Sequence, residues 1–189
     1  MKTHRTKCLE KKKALVNKCF AALIIAVFFF KGPTSIPAQS QRTQNKSKSA
    51  AQRELDGGFF KIKIPLGFVQ DQVDEPGIYK WRKDSGEIYI VSGDSFFQAQ
   101  DSMFQNLHDS AKKDARIEEA KILKIKGGKA LLCKEKGSTK PNGLRTWRLI
   151  VFTNKKMLNI DFTAPTQDFT SFVPAFEDAL RSLKLASQS

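Results

Sequence analysis

The chain of 189 residues carries 33 Lys and Arg, 19 Asp and Glu, and a formal charge of +14. That length holds roughly one domain, which excludes a large multidomain enzyme. At 40% hydrophobic and 28% charged residues, it is too apolar to be wholly disordered and too punctuated by charge to be a polytopic membrane protein. The basic excess points to nucleic acid only where it clusters, because affinity for a phosphate backbone comes from counterions released locally.

Position settles that question. Residues 1–53 hold twelve bases against the single acid Glu10, which is +11, whereas the remaining 21 bases and 18 acids net only +3. The first block has the order of an export signal: Lys11, Lys12, Lys13 and Lys18, then an apolar run from Cys19 to Phe30, then Lys31-Gly32-Pro33. The run reaches only about 18 Å, short of a hydrocarbon core of roughly 30 Å, so a permanent span is the weaker reading. Residues 1–38 are therefore expected to be a signal peptide, with an uncleaved N-terminal anchor as the second choice. The basic flank stays cytoplasmic, and the chain after Phe30 crosses the membrane to a periplasmic or extracellular location. Cys8 and Cys19 lie in this leader, so Cys133 stands alone beyond it and no intramolecular disulfide is expected there. Residues 39–57 are polar with scattered bases and read as a flexible linker. A globular domain is expected from 58 to 186.

Within it, Phe60, Ile62 and Ile64 alternate with Lys61 and Lys63 and stop at Pro65-Leu66-Gly67, a first strand with one wet face. Ile78–Lys83 and Glu87–Ser92 form two strands around Asp84-Ser85-Gly86, a hairpin in which Gly86 is expected to supply the positive φ. From Phe96 to Arg116 the period lengthens, and Phe97, Met103, Phe104, Leu107, Ala111 and Ala115 fall along one helical face. Ala120–Lys126 and Lys129–Lys136 flank Gly127-Gly128, and Arg145–Asn154 and Met157–Ala164 flank a polar turn, giving two further hairpins. Leu149-Ile150-Val151-Phe152 is apolar on both alternating faces, as in a strand covered above and below, which asks for at least three layers. Phe169, Phe172, Val173, Phe176, Leu180 and Leu183 mark a closing amphipathic helix, with Pro174 expected in its first turn. The sum is an α+β domain of about seven strands and two helices with antiparallel pairing.

The order of these parts resembles the PsbP-like family, which includes Mog-type and DcrB-like proteins. The resemblance rests on the strand ending Pro65-Leu66-Gly67-Phe68, the middle helix, the Gly127-Gly128 hairpin followed by Ala130, two long strands, and a last helix closing on Leu180-Arg181-Ser182-Leu183. It implies a three-layer α/β/α sandwich with a central antiparallel sheet of about six to seven strands, and a non-catalytic binding or assembly role. It carries over no binding residue.

Chemistry is sparse. His108 and Cys133 are the sole His and Cys beyond the leader, so a His/Cys metal cluster is excluded within one chain. His108 reads as a structural histidine and Cys133 as a small buried hydrophobe in a strand. No P-loop or dinucleotide fingerprint appears, and no cofactor is expected. Asp71, Asp74 and Glu75 before Pro76-Gly77 match no EF-hand spacing and read as a solvated acidic loop. Lys124, Lys126, Lys129, Lys134 and Lys136, with Lys121 and Lys140 nearby, are the candidate basic patch; protection of a sheet edge explains them better. Tyr79, Trp81 and Trp147 read as packing residues within strands. The expected function is an exported, non-catalytic binding or assembly module that holds a protein partner in the cell envelope, with nucleic acid disfavoured. A hydrolase built on carboxylates with His108 ranks second, and an anchored structural protein third.

Overall fold

The computed structural model describes residues 53–95, 100–140 and 143–186, so the expected signal peptide and most of the expected linker lie outside the described residues. In chain order the elements are β1 (Arg53–Asp56), β2 (Phe60–Ile64), β3 (Val69–Gln70), β4 (Ile78–Lys83), β5 (Gly86–Asp94), α1 (Asp101–Lys113), β6 (Ile117–Ile125), β7 (Gly128–Glu135), β8 (Leu144–Phe152), β9 (Lys156–Pro165), α2 (Phe169–Ser182) and β10 (Lys184–Leu185). Seven strands form an antiparallel sheet in the order β3-β4-β5-β9-β8-β7-β6, and β1-β2-β10 form a smaller one. Hairpin connections between β4 and β5, β6 and β7, and β8 and β9 set these pairings.

The side-chain period of two assigns each residue of the large sheet to a face. Trp81, Ile88, Ile90, Leu132, Trp147, Leu149, Val151, Leu158, Ile160 and Phe162 point to one side and are buried. They pack against α2 and the small sheet, whose Phe60, Ile62 and Ile64 close the same cluster. On the other side α1 lies over β6 and β7, with Phe104 set edge-on to Phe152 at 6.2 Å and Cys133 buried in the sheet beneath. Ile150 and Phe152 face α1 while Leu149 and Val151 face α2, so β8 is the doubly covered strand that its apolar run requires. No helix among the described residues is long and apolar enough to cross a membrane.

Several expectations need correction. Arg53–Asp56, assigned to the linker, is strand β1, paired antiparallel with β2 from Arg53↔Ile64 to Asp56↔Lys61. Strand β2 has the one wet face expected of it and belongs to the small sheet, between β1 and β10. Its two apolar neighbours across the layer are α2 and the large sheet, and its edges are filled by short local strands. In the β4–β5 hairpin the left-handed residue is Asp84, φ 50°, not Gly86. Glycine is needed at 86 because a Cβ there would lie 2.5 Å from the Phe172 ring. At the β6–β7 turn the positive φ, 92°, does fall on a glycine, Gly127. Helix α1 ends at Lys113; Asp114 takes the Arg116 side chain through Nε at 3.1 Å and Nη2 at 2.7 Å, which leaves Ala115 exposed in the turn. Pro174 is the sixth residue of α2, beyond its first turn. The helix starts early because Phe169 is fully buried, 5.5 Å from Trp147 and 5.7 Å from Phe176.

Candidate functional site: the open half of the sheet

Helix α1 covers β6 and β7 but not the other end of the same face. Along β5 and β9 burial alternates between buried and half-buried residues. The buried set faces α2, and the half-buried set forms an open floor. Register places Lys80, Tyr89, Asp161, Arg148 and Cys133 side by side in one row across β4, β5, β9, β8 and β7. The row runs from open floor at Lys80 to the α1-covered thiol of Cys133. Ile78, Val91 and Asn159 lie on one flank of this row, and Arg82, Glu87, Thr163 and Thr146 on the other.

Arg148 and Asp161 anchor the floor. The guanidinium donates through Nε to Oδ1 at 2.7 Å and through Nη2 to Oδ2 at 2.8 Å, with the two side chains only 12% and 17% exposed. This bidentate fork is the strong geometry for an Arg–carboxylate pair. Burial works against the Arg148 charge, but the Asp161 hydrogen bonds and the Asp161 and Glu135 charges outweigh it and hold the guanidinium pKa above its usual value. Glu135, two residues after Cys133 on the same strand face, is pushed up by burial, opposed by Arg148 and reinforced by Asp161. Tyr89 is also pushed up, first by burial and then by the charges of Glu75, Glu87 and Asp161. Around these, Lys80 pairs with Glu87 at 2.8 Å and Arg82 with Asp71 at 2.6 Å. The Asn159 amide donates to Asp161 at 3.4 Å, whereas its Oδ1 is buried without a donor among the described residues. Burial drives the Cys133 thiol pKa up to about 11, so it stays protonated and unreactive at neutral pH.

The lysines singled out in the sequence do not make one patch. Lys124 and Lys129 are cross-strand partners near the hairpin tip, with Lys126 in the turn. Lys129 pairs with Asp101 at 2.7 Å. Lys134 lies on the opposite face, 2.8 Å from Glu119 and 4.4 Å above the Trp147 ring, and Lys136 follows the far end of β7. Lys121 and Lys124 sit on β6, an outermost strand of the sheet, which is where lysine discourages pairing with a foreign strand. His108 is on α1 with its Nδ1 3.2 Å from Asp109, its chain neighbour, away from the Arg148–Asp161 pair in sequence and role. Asp71, Asp74 and Glu75 are not brought together as ligands; among the described residues no group of three His, Cys, Asp or Glu could hold a metal ion. Tyr79, Trp81 and Trp147 are packing residues, Tyr79 stacking on Trp81 at 6.1 Å.

No protein-family model matches the chain, and no curated protein matches it in sequence. Solved structures do. The cyanobacterial PsbP, CyanoP, of Synechocystis sp. PCC 6803 aligns with a TM-score of 0.51 at 12% identity, over 77% of this chain and 98% of that one. The Saccharomyces cerevisiae Ran-binding protein Mog1p aligns at 0.43 and 10% identity, over 74% and 97% of the two chains. LpqN, involved in cell envelope biogenesis of Mycobacterium tuberculosis, aligns at 0.41 and 10% identity, over 74% and 92%. With CyanoP matched over nearly its whole length, and with the seven-stranded antiparallel sheet and two helices in place, the described residues have the PsbP-like α+β sandwich fold.

Proposed function

We propose that this chain is an exported, non-catalytic binding module of the cell envelope that holds a protein partner on the open half of its large sheet. One observation carries the reading: β5 and β9 are sealed on the α2 side and only half-buried on the other, where no helix lies over them among the described residues. A floor mixing Tyr89, Val91 and Ile78 with fixed ion pairs offers apolar contact and orientation together, as protein interfaces do. Export rests on the order of charge and hydropathy in residues 1–38. The non-catalytic part is supported by Asp161, which spends both carboxylate oxygens on Arg148 and is not free to act as a base.

A photo-crosslinking residue placed at Val91, compared with one at exposed Asp178 on α2, tests this in the native cells. The same protein captured from Val91 and not from Asp178 supports the open face. Capture from Asp178 alone removes it.

A further inference from the structure

Strand register gathers a different set of lysines from the one that stands out in the sequence. On β2, Phe60, Ile62 and Ile64 are buried while Lys61 and Lys63 are exposed, so both lysines lie on the outer face of the small sheet. Lys61 is the cross-strand partner of Lys184 on β10, and Lys184 is in turn bridged to Lys126 in the β6–β7 turn. Lys124 stands two residues before Lys126, on the same side of the chain. Cross-strand partners share a face, so five exposed lysines from three separate stretches of chain form one outer surface. Its acids are Glu54 and Asp56 on β1, opposite Lys63 and Lys61, and of the five lysines Lys61 is ion-paired, to Asp56 at 2.8 Å. Lys63, Lys124, Lys126 and Lys184 have no ion pair among the described residues. The surface therefore nets +3, which is the whole surplus of residues 54–189, because their other sixteen bases are matched by sixteen acids.

This array is more than an ordinary wet face. Protection of an edge explains lysine on β6 but not on β2 or β10, because β2 is flanked on both sides and β10 lies between β2 and Lys126. Like charges placed directly opposite one another are destabilising, and Lys61, Lys184 and Lys126 stand in that relation with no acid between them. The chain leading into the small sheet is basic as well. From 31 to 53 it holds Lys31, Arg42, Lys46, Lys48 and Arg53 and no acid, and Arg53 opens β1.

We propose that the outer face of the small sheet rests on an anionic lipid surface. Five lysines and no arginine suit that partner: ammonium groups are point charges that answer a diffuse negative surface, whereas recognition of a single phosphate or carboxylate favours the guanidinium fork. Export through the expected signal in residues 1–38 brings the domain to a membrane, and the acid-free stretch runs from that segment into β1. Strands β3, β4 and β5 stand at the other end of the strand order from β6, so a bilayer against the lysines leaves the open half of the large sheet clear. The inference does not depend on what that open half holds.

The test uses the full chain, co-sedimented with vesicles of phosphatidylcholine alone or of phosphatidylcholine with phosphatidylglycerol. The anionic vesicles are expected to bind more tightly, and the preference to fall as salt rises. Every variant keeps the N-terminal segment, so a change in that preference reports the face. Lys124→Gln, Lys126→Gln and Lys184→Gln together should weaken it roughly a hundredfold, about fivefold for each charge. Lys112→Gln with Lys113→Gln, at the last turn of α1, should leave it unchanged. With anionic vesicles present, a water-soluble amine-reactive reagent should label Lys61, Lys126 and Lys184 less than in solution and Lys112 and Lys113 equally. Lys184→Gln alone, at an exposed position, keeps the test valid if the triple variant fails to fold. Equal preference in the wild type and the lysine variants, or labelling of Lys61, Lys126 and Lys184 unchanged by anionic vesicles, overturns the inference. Binding to heparin or duplex DNA without binding to anionic vesicles overturns it as well.

Discussion

A Cβ at position 86 would lie 2.5 Å from the Phe172 ring, so Gly86→Ala must push the ring or the β4–β5 hairpin aside. Overpacking of this kind costs about 1–3 kcal/mol, and the urea midpoint should fall by that free energy divided by the slope, with the slope itself unchanged. Asp84→Gly, at the left-handed residue of the same hairpin, should leave the midpoint unchanged or raise it. Glu135 sets a pH dependence. Burial holds its carboxyl above the ordinary carboxylate range, so the folded state binds that proton more tightly than the unfolded chain does. The stability this provides is fully present below the ordinary pKa and is lost as pH rises through the raised folded value. Glu135→Gln removes the titration, and its urea midpoint should gain on that of the wild type between about pH 4 and pH 7. A difference that stays constant across that range would refute the account.

At the scale of elements, α2 carries a proline in its second turn, where the Thr170 carbonyl lacks the N–H that residue 174 would donate. Pro174 is exposed, and Pro174→Ala should raise stability by about 1 kcal/mol, the net worth of one hydrogen bond, measured by urea unfolding. The helix tolerates the proline because Phe169, Phe172 and Phe176 fix its buried face on both sides of it. Such faces are also why both helices and the long strands were legible in the sequence: alternation and the three-to-four spacing are local. β1 was not legible because Arg-Glu-Leu-Asp has no apolar alternation and continues the polar composition of the sequence before it, and β3 and β10 are two residues each. The candidate site was hidden for a different reason. Lys80, Tyr89, Arg148 and Asp161 meet only through strand register, over a separation of 81 residues in the chain. The available signal was the wet position in each strand, Lys80, Tyr89, Arg148 and Asp161, which becomes a row once the strand order is known. The lysine hairpin drew attention because its residues are close in sequence, yet the pleat separates Lys129 from Lys134.

Across the described domain, one aromatic cluster joins α2 to the large sheet and to the corner that follows β2. Phe176 is fully buried, with ring centroids 5.1 Å from Phe162 of β9, 5.7 Å and 5.8 Å from Phe169 and Phe172 of α2, and 6.3 Å from Phe68 at the end of the β2 corner. Phe176→Ala should cost about 3–5 kcal/mol. Hydrogen exchange should rise in β2 and β9 together; protection lost from α2 alone would mean that the sheets do not depend on this cluster. The same dependence has a counterpart at β10. Lys184–Leu185 pairs with β2, while Leu185 N–H donates to the Lys126 carbonyl at 2.8 Å and Ala186 N–H to that of Phe59 at 2.9 Å. Three residues near the end of the described chain thus tie the first hairpin of the fold to the tip of the β6–β7 hairpin. During synthesis they leave the ribosome after every strand they connect. The early strands can pair as they emerge, but their final linkage waits for residues 184–186, so a growing chain remains open to unfolding and threading until translation has passed that point.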